Sequence, residues 1–369
     1  MAVHDRLKYA RKQAGLSGPQ IEERSGIGKS VLSELEHGKR EPSLSQLSKL
    51  ASLYRRSVAF FLDPGPIAPE PCVLWKMRPA IDAEQTEIQF RRLCSQYRNL
   101  ENWCDEKVDT GLPEITGSSD HYSNGDAEEL AKRVRHELQL GDRPGQCLLA
   151  VLEEVWGVKV FHLKFEPVGT AASVRSEEYG PAILLNANNP RGRRNDDLAH
   201  ELFHLLTWNV FHPASTNTAS SEAEERFAGH FAANLLMPSD PFRSAINSRI
   251  RDQKIGFDSL YDVAREFDVS VDSVISRMYD LYNHLPEDNE QVQKDIKRAE
   301  EYAHILDRRE DSPKPPTYPE RYRALAIKAF RHGEMSTGQF AEYLNISRQE
   351  AQQFDQEVSD GEEVQVVAA

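Results

Sequence analysis

The chain has 369 residues with 45 Lys/Arg against 59 Asp/Glu, a net charge of −14, and enough apolar content (39%) for two or three domains with real cores. No apolar run is long enough to span a bilayer, and the first residues do not read as a charged-plus-apolar leader, so a cytoplasmic chain is expected. Cys72, Cys94, Cys104 and Cys147 lack Cys-x-x-Cys pairing, which excludes a zinc ribbon and a disulfide framework and leaves ordinary buried thiols.

The charge is unevenly spread. Residues 1–60 hold 11 Lys/Arg against 6 Asp/Glu, a net of +5, while the remainder carries 34 against 53, a net of −19. A basic head on an acidic body is the asymmetry expected when only the head meets phosphates. Five short helical patterns fill residues 4–63 and stop at Asp63-Pro64-Gly65-Pro66. Gly26 suits a tight turn between two of them, with Ile21, Ile27, Leu32 and Leu35 as the apolar wedge that fixes their angle. The second of the pair would present Lys29, Ser30 and Ser33 to a major groove, and Lys39 and Arg40, just beyond it, to backbone phosphates.

The patterning divides the chain at 1–66, 67–125, 126–284 and 285–369. Pro64, Pro66, Pro69 and Pro71 make a semi-rigid spacer, and an amphipathic helix from about 84 to 108 follows, with Ile88, Leu93, Tyr97, Leu100 and Cys104 on one stripe. Residues 67–125 therefore read as linker and connecting helix. Asp126 to Glu129 looks like a capping box opening the next domain. Beyond it come helices at 127–139 and 144–156 and strands at 158–165, 171–176 and 182–186. Then follow a helix carrying His200-Glu201-x-x-His204, a long helix at about 221–236 and a helical stretch at 258–282. This order predicts α+β with a small sheet packed on helices, so the whole is multi-domain and mainly α. The strand at 182–186, if it is a sheet edge, offers a place for an extended substrate to pair. The last part holds a charged helix at 286–309, a proline-rich linker at 311–319, a small helical unit at 320–356 and an acidic tail.

On a helix His200 and His204 sit one turn apart on the same face, where both imidazoles can ligate one metal, with Glu201 beside them to take a proton from an activated water. A catalytic zinc needs a third protein ligand. Glu222, Glu224 and Glu225 on the 221–236 helix are the candidates, and periodicity does not choose among them. His230 falls opposite the apolar stripe, and His212 lies in the loop after the motif helix.

Two resemblances sharpen these readings. The run Leu16-Ser17…Ile21…Ser25-Gly26-Ile27…Val31-Leu32-Ser33-x-Leu35-Glu36-x-Gly38…Pro42-Ser43 resembles the Xre (phage-repressor-like) helix-turn-helix family over residues 4–62, departing from it at Gly18-Pro19 and Glu22. It implies double-stranded operator DNA as a partner, a homodimer and association with the nucleoid. Ile183-Leu184-Leu185-Asn186, Leu198-Ala199-His200-Glu201-x-x-His204 and Glu225-x-x-Ala228-x-x-Phe231-Ala232…Met237-Pro238 resemble the ImmA/IrrE zinc metallopeptidases over about 127–240. That resemblance implies a zincin-like α+β domain, zinc on His200, His204 and Glu225, and Glu201 as the base. The implied function is cleavage, under stress, of a repressor- or antitoxin-type protein or of the chain itself. An antitoxin-like repressor that grips a toxin without proteolysis is the alternative it leaves open. The family carries Asn where this chain has Gly229.

Overall fold

The computed structural model describes residues 2–54, 58–62, 65, 71–108, 111–166, 171–212, 219–252, 254–282, 294, 297, 298, 301, 302 and 314–359. Most of the expected charged helix at 286–309, most of the first proline spacer, the start of the 311–319 linker and the acidic tail fall outside these residues. The chain forms two compact units, Met1–Pro71 with Asp82–Ser95, and Cys72–Ile81 with Gln96–Ala369.

The first unit carries α1 (Val3–Gln13), α2 (Gly18–Ser25), α3 (Lys29–Glu36), α4 (Leu44–Tyr54) and α5 (Val58–Leu62), together with the first turns of α6 (Ala83–Trp103). The Gln20 side chain accepts from the Ser17 backbone N–H at 2.9 Å, satisfying an amide at the start of α2, with Pro19 in its first turn. Gly26 ends α2 at φ +71°, a left-handed conformation that a side chain would oppose. Ile21, Ile27, Leu32 and Leu35 are buried with Leu47, Leu50 and Phe61, so the expected wedge is the core of this unit. Glu36 at the end of α3 accepts two hydrogen bonds from Arg11, at 2.6 and 2.9 Å.

In the second unit the order is β1 (Val73–Trp75), α7 (Asn124–Glu137), α8 (Leu148–Val155), β2 (Lys159–Leu163), β3 (Ala171–Ser176) and β4 (Gly180–Asn186). Then come α9 (Arg191–Leu206), α10 (Trp208–Phe211), α11 (Glu222–Leu236), α12 (Ser239–Asn247), α13 (Phe257–Phe267) and α14 (Val271–Tyr282). The 320–356 stretch forms α15 (Glu320–Arg331), α16 (Thr337–Leu344) and α17 (Arg348–Ser359). The fold is thus mainly helical with one small sheet among the described residues, as the patterning predicts.

The sheet order is β1-β3-β4-β2, with β3 antiparallel to both β1 and β4, and β2 parallel to β4. Two details depart from the sequence reading. Residues 73–75, inside the expected linker, pair with β3; a three-residue strand matched to a partner about a hundred positions away leaves no periodic signal. The cap of α7 is Ser123, whose hydroxyl accepts from Asp126 N–H while Asp126 accepts from Ser123, three residues earlier than the box expected from Asp126 to Glu129.

Helix α9 is fixed at its start by the α13–α14 turn. The Asn195 amide donates to the carbonyls of Gly145 and Asp268, and Asp196 accepts from Ser270 N–H at 3.1 Å. A Cβ on Gly192 would sit 2.3 Å from the Val269 carbonyl oxygen, so only glycine allows this approach. Further along, Phe203 meets Phe231 of α11 with ring centroids 5.6 Å apart, and Ala228 and Ala232 are buried in the same core. The small helical unit spends its apolar side within the chain. Tyr322 is buried against Tyr97 and Phe161, and Arg321 donates to Glu101 at 2.9 Å. No helix among the described residues is long and apolar enough to cross a membrane.

Candidate functional site

In the second unit α9 and α11 bring three side chains together. Ligand atoms of His200, His204 and Glu225 all lie within 4.8 Å of one another. The His200 Nε2 and a Glu225 oxygen are 2.9 Å apart, and the His204 Nε2 and the other Glu225 oxygen 3.5 Å. A tetrahedral zinc with bonds of about 2.0–2.2 Å spaces its ligand atoms roughly 3.3–3.6 Å apart, so small adjustments admit the ion. Glu222, the third candidate, lies exposed at the start of α11.

Glu224, one residue before Glu225, points elsewhere. One of its oxygens is 2.8 Å from His204 Nδ1 and 3.0 Å from His212 Nε2, deep in the protein. A carboxylate on Nδ1 fixes the ring and leaves Nε2 facing Glu225, which is how metal-ligating imidazoles are ordinarily oriented. The signal for Glu224 is present in the sequence as a carboxylate falling on the apolar stripe of its helix. His212 is thereby tied to Glu224 behind the ligand.

The electrostatics fit a cation. Burial and the Lys76 ammonium hold His200 down to about 3, in the neutral form a metal needs. Burial opposes charge on His204 too, but the hydrogen bond to Glu224 and the nearby Glu225 and Glu201 carboxylates lift it to about 10. Burial likewise works against Glu225, yet its two histidine partners pull it well below the usual carboxylate range. Glu201 is fully buried, and burial pushes its carboxyl up to about 7 despite His204, the Ser173 hydroxyl and Lys76. Neither Glu201 oxygen has a hydrogen-bond partner, and His204 Nε2 and one Glu225 oxygen lack one as well. Buried polar atoms left open around one point are costly unless an ion or water completes them. Two nitrogens and a carboxylate oxygen form a donor set suited to zinc.

Other expectations shift. The strand at 182–186 is not a border of the sheet and offers no free edge to a substrate. It is internal, because residues 171–176 pair with it on one side and 159–163 on the other. Gly229, where the resembled family carries Asn, is exposed with nothing within 4 Å of a built Cβ, unlike the buried Ala228 and Ala232.

In the first unit α3 leaves Lys29, Ser30 and Ser33 exposed, and Lys39 and Arg40 are exposed in the turn beyond it. Gly18 lies against the Lys29 side chain, where a Cβ would meet its Cγ at 3.5 Å. The Glu22 carboxylate lies beside Gly28 at the start of the same helix.

Comparison with known families agrees with both units. Residues 7–61 match a helix-turn-helix family model, and residues 153–279 match that of a peptidase family described as the IrrE N-terminal-like domain. The second match runs from α8 through α14 and so includes both helices of the candidate metal site and the turn that anchors α9. No curated protein and no solved structure matches the chain.

Proposed function

We propose that this chain, which joins a helix-turn-helix DNA-binding domain to a metallopeptidase-like domain, is a transcriptional regulator whose body is a zinc-dependent endopeptidase. Its target is a repressor- or antitoxin-type protein, or a segment of the chain itself, cut in response to stress. The observation that carries the reading is the convergence of His200, His204 and Glu225 beside a buried Glu201 whose oxygens are open. Zinc, when bound there, polarises the scissile carbonyl and acidifies a water. The Glu201 carboxylate would take a proton from such a water and return it to the leaving amine. Glu224 keeps the His204 ring in register.

The head supports operator recognition through Lys29, Ser30 and Ser33, with Lys39 and Arg40 on the backbone. As a homodimer it would read half-sites about one helical turn, ~34 Å, apart.

Metal analysis and one substitution test the enzyme. Wild type should carry close to one equivalent of zinc, and His200→Ala far less. Glu201→Gln should keep the metal and lose about 10²–10⁴-fold in turnover. In cells it should leave the operon repressed while uncut target accumulates. Zinc below a few tenths of an equivalent in wild type, or normal de-repression by the Gln variant, would sink the proposal. The second outcome favours a non-proteolytic repressor that grips a toxin partner. That reading draws on how tightly the site is covered, with His200, Glu201 and His204 no more than 5% exposed.

A further inference from the structure

A peptidase must admit an extended peptide, yet His200, Glu201 and His204 are no more than 5% exposed, and of the metal-facing side chains only Glu225, at 29%, reaches the surface. The chain's own segment 72–76 lies beside them. β1 is the outermost strand on its side of the sheet, and Leu74 lies directly opposite Ser173 of β3, the residue whose hydroxyl neighbours the Glu201 carboxyl. Two residues on, Lys76 reaches Asp197 of α9 at 3.2 Å, one turn before His200 and Glu201. At the other end Cys72 and Leu74 are buried against Trp208, just past the last turn of α9. The segment thus runs beside the whole His-Glu-x-x-His stretch, from residue 197 to residue 208.

We infer that Cys72–Lys76 is an intramolecular occupant of the peptidase groove, seated where the backbone of a substrate pairs antiparallel with β3, and that it must leave before a substrate enters. This rests on the peptidase reading and adds to it how access is controlled and which peptides fit. Three features make the segment displaceable. Among the described residues the pairing along β3 is short, running over Val73, Leu74 and Trp75 with a further hydrogen bond from Lys76 N–H to the Ala171 carbonyl. Cys72 and Leu74 form a small apolar cluster with Trp208, separate from the large core of the body. The Lys76 side chain remains a quarter exposed, so its ion pair is accessible to competition by another cation.

The segment also lies outside the stretch that matches the peptidase family, and it belongs to a short piece, Cys72–Ile81, bounded in sequence on both sides by residues of the first unit. Once it leaves, β3 becomes a free sheet edge beside Glu201, and an extended peptide adds to it by main-chain hydrogen bonds. Because side chains alternate along a strand, the occupant describes its replacement. A substrate carries an apolar residue that fits under Trp208 as Leu74 does, and two positions later a lysine or arginine that meets Asp197.

The test uses the full chain with Glu201→Gln, loaded with zinc, and a dye-labelled peptide copying residues 70–79 with serine at the Cys72 position. Fluorescence anisotropy reads binding, and hydrogen exchange reads protection of the β3 amides. Changing Leu74→Asp in the protein should loosen β3 and tighten peptide binding at least tenfold, whereas a peptide with Lys76→Glu should bind poorly. A second variant joins the opposed residues Val73→Cys and Val174→Cys in a Cys72→Ser background. Oxidised, it should refuse the peptide, and reduction should restore binding.

Two results overturn the inference. One is unchanged peptide affinity in a Leu74→Asp protein whose β3 amides have become labile. The other is peptide binding by the locked variant equal to that of the reduced form, which would place the substrate on the outer side of β1. Neither measurement depends on turnover. A chain that binds the peptide after release but never cuts would defeat the enzyme reading and leave the strap standing.

Discussion

Each unit buries a glutamate on a helix that bears its candidate functional residues, and the two do so in opposite ways. In the head Glu36 closes α3 and receives both ends of the Arg11 guanidinium, so its charge is fully matched within the fold. In the body Glu201 stands on α9, entirely buried, with neither oxygen bonded. The first carboxylate stiffens a surface helix whose working residues face solvent. The second is the proposed base, and its two unbonded oxygens leave room for a further partner. A matched buried charge is taken up by the fold's own bonding, and an unmatched one is open to a further partner or a proton.

That contrast breaks most clearly with pH. A second unmatched carboxyl, Glu153 of α8, is raised to about 8 by burial and keeps one oxygen unbonded. Unfolded, it titrates near ~4.3, so between that value and 8 the native state binds the extra proton and stability falls as pH rises. Glu153→Gln should therefore change little at pH 4 and add at most about 5 kcal/mol above pH 8, since a tenfold difference in proton affinity is worth about 1.4 kcal/mol. Glu201→Gln in the metal-free chain should follow the same course to about 7, with a gain of at most about 4 kcal/mol. Activity and stability would then move in opposite directions at one residue. Urea unfolding at pH 4, 6 and 9 checks both; a loss of stability at pH 9 would show that these carboxylates are matched after all.

The head should respond in the other direction. Arg11→Met leaves Glu36 buried and unpaired. Breaking a buried pair costs about 3–5 kcal/mol, and because Arg11 is a quarter exposed the expected loss is nearer to about 2. The comparison fails if the melting of residues 1–62 is unmoved.

Much of this is legible in the sequence, and the misses share a cause. The wedge Ile21, Ile27, Leu32 and Leu35 and the pair His200 and His204 are set by spacing within one or two helices, and spacing is what a sequence displays. Choosing Glu225 over Glu222 and Glu224 requires the angle between α9 and α11, which periodicity does not contain and only the family resemblance supplies. The strand at 73–75 reads as linker because its partner is remote in sequence. The strand at 182–186 loses the expected role of sheet edge because 171–176 and 159–163 pair with it on its two sides, an order of strands that alternation does not display. Glu224 is visible only as an anomaly, a charge on an apolar stripe, whose meaning depends on His204 and His212 arriving from another element.

The smallest effect concerns the exposed face of α3, where opposite signs are expected from neighbouring residues. Lys29 is exposed at the start of the helix, and Glu22 lies beside Gly28 at the same end. Lys29→Ala should cost operator binding about 1 kcal/mol, and if the contact is to phosphate, the dependence of log K on log salt should flatten by about one unit. Glu22→Ala removes a negative charge from the same approach, so it should strengthen binding by a few tenths of a kcal/mol at low salt and by less as salt rises and screens it. Anisotropy titrations at two salt concentrations resolve both. If Lys29→Ala weakens binding without changing the salt slope, its contact is with a base edge. If neither substitution changes affinity, α3 is not the helix that meets DNA.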